Sequence, residues 1–429
     1  MMINNWTYFF QDEVAQKVLF GSGLIGLMTG VVGVFSFLRK RTLVADAISH
    51  AVLPGICLGF LFAEEKNPLV LIVGAAIFGW LSVWLIELIS TKTKLSEDAS
   101  IAIVSTFFFA IGSVLLSHIS KTGNTEQSGL KSFLFGNAAT MNNFDLIVFT
   151  ITATIILFTI FLFFKQFKLV SFDPSFAQVL GLPVQLFSIL IASMTVVTVA
   201  LGIQAVGVVL MSALLIAPAA TARYWTNKLW FMVLLAGGIG LVSSVLGIVF
   251  STVKEEMPTG PWIVSTLFVF TISTLLFAPR KGWFSIRSVK NQNKLKIMKE
   301  NTLKVFYQLK EQGISEVKII HLLEKRPVDT NKLESLLKQM MKNGLISKNR
   351  GTYKLTKQGV VEGMRIVRLH RLWELYLTQR MNFKEDHIHG TAETIEHLIT
   401  PEIEKELLND LDFPKEDPHR KSIPYQDGN

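Results

Sequence analysis

Residues Val184–Ala222 read VQLFSILIASMTVVTVALGIQAVGVVLMSALLIAPAATA, an uncharged stretch about twice as long as one bilayer crossing needs. A membrane helix takes roughly 20 apolar residues to cross the hydrocarbon, and backbone can leave its own hydrogen-bond ladder there only where protein surrounds it. The stretch therefore predicts two spans with a bend near Gly202 to Gly207. Working outward, apolar runs recur at Val18–Leu38, Pro68–Ile86, Ala99–Ser117, Leu146–Phe164, Leu229–Val253 and Pro261–Ala278, with a less apolar one at Leu43–Ala63. By length the fold is an all-α polytopic membrane bundle of about 8–9 transmembrane helices.

The apolar pattern stops at Pro279, and from Arg280 the chain carries Lys, Glu, Asp and His at the density of a soluble protein. Three domains are expected: residues 1–284 in the membrane, 285–360 as a winged helix, and 361–429 as a helical metal-binding and dimerisation-like domain. The single cysteine, Cys57, excludes an intrachain disulfide and a cysteine-based zinc site. Asp12 and Glu13 stand before the first apolar run where a secretory signal would have basic residues, so that run is expected to be retained.

A net charge of +9 suits nucleic acid, but its distribution points elsewhere. Basic residues follow alternate spans: Arg39, Lys40 and Arg41; Lys92 and Lys94; Lys165 and Lys168; Arg223 and Lys228; Arg280 and Lys281. The positive-inside rule assigns these loops, and with them the C-terminal domain, to the cytoplasm. The opposite loops carry Glu64, Glu65, Glu255 and Glu256.

Charge inside an apolar segment is costly and demands a partner or a function. Asp46 and His50 lie four residues apart, on one helix face, where a carboxylate and an imidazole can share a divalent cation. On spacing alone, an interfacial charge pair explains them equally well. Asp173-Pro174 opens a short helical piece in the loop Lys165–Pro183, with Asp as cap and Pro at the first helical position. No Gly-x-x-x-x-Gly-Lys-Ser/Thr phosphate loop occurs, so ATP hydrolysis by this chain is not expected.

In the soluble part, apolar residues at helical spacing (Leu303, Phe306, Tyr307, Leu309, then Ile319, Ile320, Leu322, Leu323) precede a helix from Lys332 to Lys342 capped by Asp329 or Thr330. Leu345–Thr356 reads as a short hairpin, which gives a winged-helix order. The helix in the position that reads DNA in a winged-helix order offers Lys332, Lys338 and Lys342 but no Arg for a bidentate guanine contact. Thr356–His397 reads as helical and rich in His and Glu, a donor set for a hard-to-borderline divalent ion or simply a solvated charged face.

Two resemblances sharpen this reading. Asp46-Ala-Ile-Ser-His50-Ala-Val-Leu-Pro-Gly55, with Gly207–Met211 and Leu214–Ala220, resembles the membrane permeases of the manganese, zinc and iron class of ABC importers over residues 15–280. The resemblance implies that Asp46 and His50 bind the ion in the translocation pathway, and that Asp173, Ala177 and Gly181 belong to a coupling helix received by a separate ABC ATPase subunit. It also implies a second permease subunit, an extracytoplasmic metal-binding protein and a bacterial inner-membrane location. His370-Arg-Leu-Trp-Glu374 and His389-Gly-Thr-Ala-Glu393-Thr-Ile-Glu396-His397 resemble the diphtheria-toxin-repressor family of metal-sensing regulators over about Asn301–Pro424. This second resemblance implies His370, Glu374, His389, Glu393, Glu396 and His397 as metal ligands, with a further ligand position aligning with Asn301, next to Glu300. A carboxylate at Glu393, where iron-responsive members have cysteine, favours Mn2+ over Fe2+ or Zn2+. The function expected is a transport subunit for divalent transition metals with a cytoplasmic metal-sensing tail. The competing reading is a membrane-tethered, metal-dependent DNA-binding regulator, for which about nine spans far exceed the need of an anchor.

Overall fold

The computed structural model describes residues 12–39, 41–63, 68–121, 136, 138, 141–252, 257–381, 397 and 399–425. The chain divides into two compact units, Met1–Ile286 and Arg287–Asn429. Among the described residues of the first, nine helices are long and apolar enough to cross a membrane.

Helix α1 (Glu13–Leu38) starts where Asp12 Oδ1 accepts from the Val14 N–H at 2.9 Å, and it runs through the core of the unit. In lipid there is no hydrophobic drive between helices, so close backbone approach must supply the attraction. Gly26 and Gly30 of α1 lie directly against the backbone of Gly240 and Ala236, and Gly33 against the Leu215 carbonyl. The next helices repeat the device: Gly55 of α2 (Thr42–Ala63) and Gly74 of α3 (Pro68–Lys92) face each other's carbonyls. Gly112 of α4 (Glu97–Lys121) takes Leu53 and Pro54 of α2.

After α5 (Asn143–Leu162), two short helices, α6 (Phe164–Phe172) and α7 (Pro174–Val179), lead to α8 (Val184–Val206). The long uncharged stretch breaks at Gly207, whose φ of +92° closes α8 and opens α9 (Val208–Trp225). A side chain at that φ would be strained, so glycine places the bend here, while Gly202 stays helical and packs on Met211. Helices α10 (Leu229–Ser251) and α11 (Thr259–Phe277) complete the bundle.

The second unit begins within α12 (Trp283–Glu311). Leu303, Phe306 and Leu309 of α12 join Leu322 of α13 (Ile319–Lys325) and Leu333, Leu336, Leu337 and Met340 of α14 (Thr330–Lys342) in one core. Asp329 caps α14, its Oδ1 accepting from Asn331 N–H (2.9 Å) and Lys332 N–H (3.2 Å), so the helix starts two residues before the expected Lys332. Strands β1 (Ile346–Asn349) and β2 (Thr352–Leu355) pair antiparallel, Ile346 opposite Leu355 and Asn349 opposite Thr352. Their two-residue turn is Arg350-Gly351, both at positive φ, which matches the strand twist. Helix α15 (Lys357–Gln379), capped by Thr356, and α16 (Pro401–Asp410) form a second small core through Leu372, Leu375, Leu407 and Leu411. The stretch expected to be helical from Thr356 to His397 instead ends its helix at Gln379, with Arg380 as the C-cap and Met381 in a turn, and residues 382–396 lie outside the described residues.

Arg371 ties this unit's C-terminal segment to α12. Its guanidinium forks onto Glu311 (2.7 and 3.0 Å), donates to the Ser422 carbonyl (2.6 Å) and approaches Asp417 at 3.7 Å. Arg371 and Asp417 are both buried. Arg371→Met should destabilise this unit by about 3 kcal/mol, because one buried carboxylate loses its counter-charge. Urea unfolding of the detergent-solubilised chain measures it, and a change below about 0.5 kcal/mol, the range of ordinary surface substitutions, would refute the assignment.

Candidate metal sites

Helix α2 buries Ala45, Ala47, Ile48, Ser49, Ala51 and Val52 against its neighbours, which leaves Leu43, Asp46 and His50 on a less covered stripe. One turn separates the two polar residues, and His50 Nε2 lies 3.7 Å from Asp46 Oδ2. That gap is too long for a hydrogen bond. The imidazole stands edge-on to Phe109 of α4 with ring centroids 4.9 Å apart, and its Nδ1 is buried with no hydrogen-bond partner among the described residues. A buried ring nitrogen without a partner costs free energy unless a ligand satisfies it. Pro54, four residues on, has no N–H to give the His50 carbonyl, so the helix ladder is also interrupted there. Among the described residues, no group of three or more His, Cys, Asp or Glu is placed to hold a metal ion. Asp46 and His50 therefore offer two donors rather than a closed ligand set among the described residues.

In the membrane unit, one buried carboxylate among the described residues escaped the sequence reading. Asp145 is 3% exposed at the start of α5, where it accepts from the Asn142 N–H and from Gln204 Nε2, each at 3.0 Å. The Asn142 side chain returns the bond to the Asp145 N–H at 2.9 Å, a capping box. The signal was available in the Asn-x-x-Asp spacing. Its satisfied bonds make it a structural tie between α5 and α8.

In the α6–α7 loop, the three residues singled out from sequence all shape the turn. Asp173 Oδ1 accepts the Phe176 N–H at 2.9 Å, Ala177 is fully buried, and Gly181 closes the helix at φ +78°. The side chains presented outward are others: Phe172, Phe176, Val179 and Leu180 are each more than half exposed.

In the second unit the structure brings together residues far apart in sequence. His397 Nδ1 lies 2.6 Å from Glu300 Oε2 on α12. Asn301, the aligned ligand position, instead lines a cavity of about 250 Å³ with Met298, Val305 and Leu322. On α15, His370 Nε2 lies 3.0 Å from Glu374 Oε1, as the four-residue spacing implies. Its other nitrogen, Nδ1, meets the Lys304 ammonium at 2.9 Å, a contact that no local sequence feature signalled. His389, Glu393 and Glu396 lie outside the described residues.

Comparison with known proteins places both units. Residues 11–278 match the ABC 3 transport family, and residues 356–425 match the iron dependent repressor, metal binding and dimerisation domain. The chain is 36% identical over 372 residues to the manganese transport system membrane protein MntC of Bacillus subtilis, covering 86% of each. It is 38% identical over 273 residues to the zinc transport system membrane protein TroC of Treponema pallidum, covering 64% of this chain and 92% of that one. Among solved structures, PsaBC from Streptococcus pneumoniae in complex with Fab aligns at a TM-score of 0.60 and 31% identity, covering 67% of this chain and all of that one. With its membrane-spanning helices, the Gly207 break and a repressor-type metal-binding domain behind them, this chain belongs to the ABC 3 transport family of multi-pass membrane permeases.

Proposed function

We propose that the chain is the permease subunit of an ATP-driven importer of divalent transition metals, with Mn2+ the preferred ion, Zn2+ and Fe2+ the alternatives, and a cytoplasmic tail that senses the ion imported. The observation that carries this is the α2 pair: a half-buried carboxylate beside an imidazole whose inner nitrogen has no hydrogen-bond partner among the described residues, in a membrane bundle of the ABC 3 family. The full transporter then needs an ABC ATPase, an extracytoplasmic metal-binding protein and a second permease subunit. Names of relatives that carry manganese or zinc support the ion class. The alternation of basic and acidic loops supports a bacterial inner-membrane orientation with the tail inside. In the tail, the sensed ion is held by His389, Glu393, Glu396 and His397, with Glu300 as the contribution from α12. Uptake of Mn2+ by proteoliposomes holding the whole assembly, competed by Zn2+ and Fe2+, tests the reading; no ATP-dependent uptake of any of the three refutes it.

Coupling to the ATPase is assigned to the outward apolar side chains of α6 and α7, with Asp173, Ala177 and Gly181 holding their frame. Phe176→Asp and Val179→Asp should each abolish co-purification of the ATPase while leaving the melting temperature unchanged, since both side chains are already exposed. Retained co-purification in both would place the contact elsewhere.

A second reading has one observation in its favour. Lys332, Lys338 and Lys342 are exposed along α14 of a winged-helix fold. A metal-dependent, sequence-specific gel shift by the full chain would establish the tail as a DNA-binding regulator.

A further inference from the structure

Lys304 is 5% exposed and Glu374 is 1% exposed, and two opposite charges so deeply buried must be balanced within the protein. The imidazole of His370 bridges them, Nδ1 at 2.9 Å from Lys304 Nζ and Nε2 at 3.0 Å from Glu374 Oε1. An ammonium has three donors and no lone pair, so Nδ1 must be the acceptor. The ring proton then belongs on Nε2, facing the carboxylate. In that tautomer the only electron pair His370 could give a metal is already directed at Lys304. A divalent ion entering here would meet a buried positive charge and would have to expel it. The His370–Glu374 pair therefore does not fit a metal ligand set, although sequence resemblance assigned both residues to one.

We propose that the Lys304 ammonium is a resident cation for the His370–Glu374 pair, which fastens α12 to α15 without metal and confines the tail's response to the layer of Glu300 and His397. Glu300 and Lys304 are one turn apart on α12, so a single helix face supplies a ligand to one layer and a fixed charge to the next. The tail then holds one exchangeable ion rather than two, and the Lys304–His370 link between α12 and α15 persists when metal is scarce. This inference rests on the tail being a metal-binding module, so its test includes an independent check of that premise.

The test counts Mn2+ bound per chain by equilibrium dialysis of the full chain in detergent. His370→Gln should leave the count of the natural chain unchanged; loss of one equivalent would show that the pair binds metal and would overturn the proposal. Lys304→Gln should gain one equivalent, and the Lys304→Gln/His370→Gln double variant should lack it; a properly folded Lys304→Gln chain with no gain also overturns it. If Lys304→Gln does not fold, the His370→Gln count decides. Glu396→Gln/His397→Gln should lose one equivalent, and an unchanged count there refutes the metal-binding premise for the tail independently of Lys304.

Discussion

Alanine at Asp46 or at His50 is expected to abolish divalent-ion uptake while leaving the permease assembled. The reasoning is one of donor count. The pair supplies two donors at most, no third His, Cys, Asp or Glu completes a group among the described residues, and an ion passing through must exchange water for whatever the wall offers. With one donor gone, the remaining side chain binds no better than water does. The structural loss is small, because the Asp46 side chain is 40% exposed and its approach to His50 is 3.7 Å, too loose to stabilise the fold appreciably. Uptake should therefore fall to the level of liposomes without permease, while the yield and melting temperature of the purified chain stay near those of the natural one. Asp145→Asn is the informative contrast: the buried Asp145 carboxylate accepts two hydrogen bonds, and an amide that turns an N–H toward those donors should lower the melting temperature first. Undiminished uptake in both Asp46→Ala and His50→Ala would remove α2 from the pathway.

Gly26→Val combined with Gly30→Val should prevent recovery of a folded chain from the membrane. A β-carbon on either glycine would overlap main-chain atoms of α10, at the carbonyls of Gly240 and Ala236, which cannot swing aside as a side chain can; on Gly26 it would also meet Ser244 Oγ. Overpacking a soluble core by a methylene or two costs roughly 1–3 kcal/mol because side chains can shift. Here two helices must separate, and in lipid no hydrophobic gain remains to hold them once close contact is lost. Gly238→Val on the same α10 is the control, since nothing lies within 4 Å of a β-carbon there. Thermal unfolding in detergent should show the Gly238 variant near the natural chain and the double variant with no cooperative transition. Equal melting of the two would refute close α1–α10 packing.

Much of this protein was legible because the relevant signals are local. Span length is set by bilayer thickness, so about 8–9 crossings could be read from apolar runs, only Leu43–Ala63 among them carrying a charge, and the bend in Val184–Ala222 was limited to the stretch Gly202 to Gly207. Caps at Asp173 and Asp329 depend on bonds two or three residues away, and the four-residue spacings of Asp46 with His50 and His370 with Glu374 fix a shared face in any helix. What a face meets is a different matter. Whether Glu300 or Asn301 reaches His397, or whether a lysine arrives at His370, depends on the rotation of α12 about its axis, and one residue of helix turns a side chain by about 100°. Only the packing of Leu303, Phe306 and Leu309 into their core sets that rotation. The same holds for Asp145 and Gln204, 59 residues apart, which pair because α5 and α8 are packed in one bundle. Sequence determined the helices and their caps and pointed to the candidate donor residues; tertiary packing alone decided which of those residues already have a charge beside them.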